Sequence, residues 1–415
     1  MTSDATPKQS ASTLEQSSPE SDQIKSGRFA NNRPSVFAIT AAHATVDMHT
    51  ASLAVLLPLL LTALNLKYGN AAAIITANQI VIAVAQPIFG ILGDRQPNRA
   101  MLWFGCLLAG LGMASVLWMP NYWAVVVAVT LSGLGSAIFH PEAISRSRAV
   151  MRNKPATAVS IFFSGGSIGF AVGPILATVL TERWNKFGAL LMLVPTALAL
   201  LGLGNQWRSI SASREDVRTS KTDSSARINY PLVWFLILLI AVRGTVSTGL
   251  LAFIPLYFKE NGQLGPEAAA LMVTITSLSG VAGNLLGGTL GDKYGRRVLM
   301  AASLLIALAA LYGFLHLNGI AQMIAAAIAG ASLTAAWPII VVMIQEAMPG
   351  NLGLAGGLSL GTTYAASGLG VGILGAYADV SSIAAVMTVL AILPVVSLLL
   401  TAFVPERPRA LEPIT

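Results

Sequence analysis

One six-residue phrase, present twice, constrains this chain more than any other feature. Gly90-Ile-Leu-Gly93-Asp94-Arg95 runs on to Arg99, and Gly288-Thr-Leu-Gly291-Asp292-Lys293 runs on to Arg296 and Arg297. Positions 94 and 292 are 198 residues apart, close to half of the 415-residue chain. Each copy lies between two long apolar runs, so each reads as a short charged loop joining two membrane helices. Two similar membrane-embedded halves imply a transporter whose halves rock around a shared central site.

Of all residues, 54% are hydrophobic and 10% charged, against about 25% charged in a soluble domain. A soluble fold of this length has nowhere to hide that much apolar surface, whereas lipid can surround it. The formal net charge of +7 comes without a basic patch interleaved with aromatics. Its basic residues fall in short loops, which excludes nucleic acid as a partner and points to membrane orientation. The single cysteine, Cys106, excludes intramolecular disulfides and cysteine metal sites. Its apolar surroundings make it a packing residue. No secretory signal is expected at the start; residues 1–33, rich in Ser, Gln and Pro, read as a disordered cytoplasmic tail.

Apolar runs of helix-spanning length fall near 35–64, 71–92, 100–118, 122–144, 156–181, 187–205, 231–258, 267–290, 298–316, 320–346, 353–378 and 382–404. The expected fold is an all-α membrane protein of twelve transmembrane helices in two pseudo-symmetric six-helix bundles, 34–205 and 230–404. A polar cytoplasmic linker, 206–229, joins them, and 405–415 is a second cytoplasmic tail. With the N-terminus inside, twenty of the 25 Lys and Arg residues fall on the inner side and four on the outer, leaving Arg243 within a helix. Both termini are therefore expected to be cytoplasmic, in the cell inner (plasma) membrane. A second echo supports the duplication: His140-Pro141 is matched 197 residues later by Trp337-Pro338.

Twelve helices, a central linker and paired Gly-x-Leu-x-Asp-basic loops resemble the major facilitator superfamily over residues 34–404. His43-Ala-Thr-Val-Asp47, Gln86-Pro87, Phe139-His-Pro-Glu142 with Ser145-Arg146, and Gly165-Gly166 with Gly173-Pro174 resemble its fosmidomycin-resistance branch. That resemblance implies proton-driven drug efflux. Two departures stand against it. Val129 occupies the position before Gly133 and Gly135 where many drug antiporters of the superfamily carry arginine. Ala177 and Thr178 stand where the antiporter glycine–proline motif has two further glycines.

Ionisable residues inside membrane segments cost about 2.5–3.5 kcal/mol each on insertion scales and are functional candidates by default. Asp47, a dozen residues into the first helix, is the first choice for a proton carrier, with His43 one turn earlier on the same face. His49 lies on a different face and reads as a packing contact. His140 and Glu142 flank Pro141, which can kink the fourth helix; they form a candidate proton-relay or gating cluster, or else Glu142 simply pairs with Arg146 one turn on. Arg243 is the approximate pseudo-symmetry mate of Asp47. It suits an anionic substrate group held bidentately, or pairing with Asp47. Gln86, Asn78, Trp337, Tyr364 and Gln345 are candidates for hydrogen bonding and stacking with substrate, while Glu346 and Asp379 read as solvated at the membrane surface. Gly165, Gly169 and Gly173 recur every four residues and permit close helix approach. Asp94, Arg95, Arg99, Asp292, Lys293, Arg296 and Arg297 are expected to gate rather than to bind substrate, the carboxylates capping nearby helix N-termini.

These readings imply a secondary active transporter exporting a small anionic or amphipathic, drug-like compound in exchange for protons. Its expected partners are that small molecule, protons and the bilayer, and it is expected to act as a monomer. The alternative is a proton symporter importing a small nutrient or metal chelate. No enzyme, cofactor or bound metal is expected: there is no nucleophile motif, metal-ligand motif or phosphate-binding glycine loop.

Overall fold

The computed structural model describes residues 33–405 apart from 67, 97, 99, 152, 211–227 and 262–265. Arg99, both predicted tails beyond Arg33 and Pro405, and most of the predicted linker thus lie outside the described residues. The described chain is all-α. Its first half contains α1 (Arg33–Ala63), α2 (Tyr68–Arg95), α3 (Ala100–Ala114), α4 (Tyr122–Val150), α5 (Pro155–Trp184), α6 (Lys186–Leu191) and α7 (Leu193–Asn205). The second contains α8 (Tyr230–Asn261), α9 (Pro266–Tyr294), α10 (Arg296–His316), α11 (Gly319–Ala335), α12 (Trp337–Ala347), α13 (Leu352–Val380) and α14 (Ile383–Thr401).

Among the described residues ten spans are long and apolar enough to cross a membrane, counting α6 with α7 and α11 with α12 as one span each. Of the remaining predicted crossings, α3 is a shorter apolar helix prolonged by a 3-10 turn at Val116–Trp118. The other, α13, has 29 residues; its glycines, serines and threonines dilute the apolar signal. The two breaks have a shared cause. Pro195 and Pro338 lack the N–H that Leu191 and Thr334 would accept, and the preceding helices stop at Leu191 and Ala335. Pro141 does not have this effect: α4 runs unbroken through it.

The most extensive pairing is α1 on α5. A Cβ on Gly165, Gly169 or Gly173 would collide with the backbone of Thr40, Ala44 or Met48 respectively. Three glycines one turn apart thus seat α5 against three residues one turn apart on α1.

The halves meet through α2 on α13 and α5 on α9. At these crossings the repeated phrase supplies the clearance. A Cβ on Gly90 would strike the backbone of Gly353, and one on Gly288 would strike Ala156 and Ser160. The hydrophobic cores follow the same division. On the side of the repeated loops a single core spans both halves, from Ile39 and Phe139 to Ile339 and Val342. At the opposite end each half has its own, around Leu56 and Met113 in the first and Phe258 and Phe314 in the second. The molecule is joined at one end and divided at the other.

Candidate functional site

Between the halves lies a cavity of about 600 Å³, within the 300–1,000 Å³ usual for small-molecule sites. Apolar and aromatic side chains line it, including Phe163, Phe170, Leu250 and Trp337, with Thr363 and Tyr364 from α13. Trp337 meets Phe163 edge-to-face at 6.0 Å across the division between the halves. Among the described residues no Lys or Arg belongs to this lining, and its carboxylate and imidazole members are Asp47, His43 and His140.

These three form one cluster. His43 sits one turn before Asp47 on α1, and its Nε2 is 3.0 Å from Asp47 Oδ2. His140 comes from α4, and its Nε2 is 3.3 Å from Oδ1. The second arm is looser, an ion-pair contact without an aligned hydrogen bond to Oδ1. All three residues are buried. The far nitrogen of each ring is also engaged: His43 Nδ1 donates to Phe162 O at 2.7 Å, and His140 Nδ1 lies 2.8 Å from Ser136 O and 3.1 Å from the Ser136 hydroxyl oxygen. His43 also stacks on Phe162 with centroids 3.9 Å apart and planes 11° apart. Gly166 makes room for the cluster, since a Cβ there would lie 2.5 Å from Asp47 Oδ2 and 2.6 Å from the His43 ring. A carboxylate bracketed by two imidazoles on a cavity wall has the chemistry to exchange protons or, its three ligand atoms lying within 4.8 Å of one another, to hold a cation.

The other predicted site residues divide into groups. Trp337 and Tyr364 line the cavity; Arg243, Gln86 and Asn78 are buried outside its lining. Arg243 Nη2 donates to Leu333 O at 2.8 Å, near the end of the helix that Pro338 interrupts. There a cation compensates carbonyls left without helical donors. Its Nε and Nη1 have no hydrogen-bond partner. Asn78 donates to Val129 O at 2.9 Å, and the Gln86 amide is buried without a partner. Glu142 pairs with Arg146, whose Nη2 lies 2.6 Å from its Oε1, and the same guanidinium donates to Ile210 O. His49 turns to Thr196 at 2.8 Å.

At the repeated loops, Asp94 Oδ1 accepts from Gly353 N–H and Oδ2 from Leu354 N–H, both at 2.8 Å. Asp292 Oδ2 accepts from the amide of Thr157 at 3.0 Å and from its hydroxyl at 2.9 Å. Helices α13 and α5 have no side-chain cap of their own, so each is capped by the opposite half. Arg296 pairs with Glu346, which also lies 3.6 Å from Arg148 of the first half. Lys293 Nζ rests 4.9 Å from the Tyr294 ring centroid, while Arg95 and Arg297 are exposed. Glu346, expected to be solvated, instead bridges the halves. The signal for this was available in Arg148 and Gln345, 197 residues apart like the His-Pro and Trp-Pro pairs, which also hydrogen-bond at 3.3 Å.

A two-half, all-helical membrane bundle with a polar cluster at a central cavity defines a transporter rather than an enzyme. The profile of the Major Facilitator Superfamily matches residues 39–265 and 236–414, and the chain belongs to that superfamily. It is 29% identical over 381 residues to the fosmidomycin resistance protein of Escherichia coli (strain K12), covering 89% of this chain and 92% of that protein. It is 27% identical to an uncharacterized MFS-type transporter, YfnC, of Bacillus subtilis (strain 168), over 88% and 91% of the two chains. Among solved structures, FucP in the outward conformation superposes with a TM-score of 0.67 at 16% identity, covering 89% of this chain and 99% of that one. At that identity the likeness speaks for the fold alone.

Proposed function

We propose that this transporter exports a small amphipathic compound in exchange for protons, by alternating access between its halves. The observation carrying this reading is the buried Asp47, bracketed by His43 and His140 on the wall of the central cavity. An ionisable cluster buried at membrane depth is costly to keep. A proton-coupled cycle gives it work, because protons and cargo then compete for the same wall. Trp337, Tyr364, Phe163 and Phe170 offer faces for an aromatic or amphipathic cargo. The similarity to a fosmidomycin resistance protein makes fosmidomycin the first compound to test, and its phosphonate is the anionic case.

In this reading Asp94 and Asp292 latch the loop side shut, with Arg95, Lys293, Arg296 and Arg297 as the basic rim and Glu346 as a third tie. The basic bias supports a cytoplasmic position for that side and for both termini, at the cell inner membrane. One chain builds the whole cavity, which suits a monomer.

The test uses everted membrane vesicles carrying an imposed pH gradient and a fluorescent pH probe. Adding fosmidomycin is expected to discharge the gradient with the wild-type protein but not with Asp47→Asn. Undiminished discharge by Asp47→Asn removes Asp47 from the coupling role. Proton-linked movement of the compound toward the cytoplasm would select the import alternative.

A further inference from the structure

The geometry points to a metal site on the cavity wall: His43, Asp47 and His140 bind a late first-row divalent cation such as Zn²⁺, with one coordination position open to the cavity. This goes beyond the proton-coupled reading and does not rest on it.

Two imidazole nitrogens and one carboxylate are the ligand set of open zinc sites, in which water or a substrate oxygen fills the fourth position. Here His43 Nε2 lies 3.0 Å from Asp47 Oδ2, and His140 Nε2 lies 3.3 Å from Oδ1. One ligand atom from each of the three residues lies within 4.8 Å of the other two. Bonds of about 2.0–2.2 Å in a tetrahedral site set neighbouring ligand atoms about 3.3–3.6 Å apart. The histidine–carboxylate separations are already close to that spacing.

A second observation points to a ligand. Asp47 Oδ1 is buried without a hydrogen-bond partner, although the His140 ring stands beside it. An unpaired buried carboxylate oxygen is costly, and a cation held between Oδ1 and Nε2 removes that cost. The far side of each ring suits ligation too. A carbonyl oxygen only accepts, so His43 Nδ1, 2.7 Å from Phe162 O, carries hydrogen and the neutral ring turns a bare Nε2 toward Asp47. Histidine ligands are commonly oriented by such a bond from their far N–H to a backbone carbonyl. Stacking on Phe162 at 3.9 Å holds the His43 plane. His140 Nδ1 faces both the Ser136 carbonyl at 2.8 Å and the Ser136 hydroxyl at 3.1 Å. Ligation through Nε2 selects the form whose Nδ1–H donates to the carbonyl.

The surroundings admit a cation. The cluster lines the cavity, which supplies an entry path, and among the described residues no Lys or Arg shares that lining. Arg243 is engaged by Leu333 O and Arg146 by Glu142. Two nitrogens in three ligands favour Zn²⁺, Ni²⁺ or Co²⁺ over Mg²⁺ and Ca²⁺, which prefer oxygen. No local spacing motif displays this site, because His140 joins it from 93 positions beyond Asp47.

The experiment titrates Zn²⁺ into the full chain, purified without a histidine tag and held in lipid nanodiscs, by calorimetry. One equivalent is expected to bind the wild type. Asp47→Asn, His43→Gln and His140→Gln are each expected to weaken binding by about 100-fold or more, since loss of a mere orienting partner already costs about 10- to 100-fold. His316→Gln, which removes an exposed ring, is expected to bind as the wild type does, and a thousandfold excess of Mg²⁺ is expected not to compete. Absence of stoichiometric binding, displacement by Mg²⁺, or binding that survives in the folded cluster variants and is lost in His316→Gln overturns the inference. X-ray absorption at the zinc edge tests the wild type without any variant: two imidazoles are expected around the ion, and fewer than two overturns the site. Neither readout involves transport, so failure of proton coupling leaves this site standing, and failure here leaves proton coupling untouched.

Discussion

Removing the Asp94 carboxylate should open the loop side by a calculable amount. Its two oxygens accept from the second and third residues of α13, both at 2.8 Å, and α13 has no side-chain cap of its own. Losing an N-cap costs about 0.5–2 kcal/mol, and losing a negative charge at a helix N-terminus about 0.3–1 kcal/mol. Because Asp94 is only half-buried, the sum belongs toward the low end, about 1–2 kcal/mol for Asp94→Ala. That multiplies the ratio of loop-side-open to loop-side-closed molecules roughly 5- to 30-fold. A state occupied at about 5% would rise to roughly 20–60%. Pulsed electron–electron distance measurements read this directly, with labels at Ala100 and Val298, both exposed at the loop-side starts of α3 and α10. Since Cys106 is the chain's one cysteine, the labelling background needs a single substitution. An unchanged distance distribution in a folded Asp94→Ala protein would refute the latch. The same holds for Asp292→Ala, and because the two caps are separate sites their effects should add.

Further substitutions probe the remaining contacts. Gly166→Ala forces a methyl group against Asp47 and His43. It should lower stability by about 1–3 kcal/mol and abolish proton coupling, measured by thermal melting and by the vesicle assay; an active, wild-type-stable protein would contradict the packing described. Gln86→Leu removes a buried amide without a partner and should keep or raise stability, by up to about 1 kcal/mol, with transport intact; lost transport with intact folding would return Gln86 to the substrate site. Glu346→Gln weakens the tie between Arg148 and Arg296. It should shift the same distance distributions toward the open state by about 0.5–1 kcal/mol, less than Asp94→Ala does.

What the sequence discloses follows from range. The repeated phrase, the glycine ladder on α5 and the pairing of His43 with Asp47 are periodic or one turn apart, so helical geometry alone connects them. Membrane spans are legible because lipid demands long apolar runs. The meeting of His140 with Asp47 joins residues 93 positions apart and depends on how α4 lies against α1, which no local pattern encodes. Glu142 illustrates the same limit from the other side. It neighbours His140 in sequence, yet the turn of the helix sends it to Arg146 and away from the cavity. Arg243 was legible as an expensive buried charge but not as the donor to Leu333, because that role exists only through the helix interruption at Pro338.

The two caps have a consequence for ancestry. Asp94 of the first half caps a helix of the second, and Asp292 of the second caps the matching helix of the first. Reciprocal exchange of this kind is the signature of an isologous contact, as between two identical subunits. Two copies of either half would already possess everything needed to clasp one another by these aspartates. The histidine–aspartate cluster is different. His43, Asp47 and His140 all belong to the first half, and Trp337 stands where a second His140 would be. A pair of first halves would carry two facing acid clusters, and a pair of second halves none. The two unlike halves of this chain thus share a symmetric clasp, while the His43–Asp47–His140 cluster stands on one side of the cavity only.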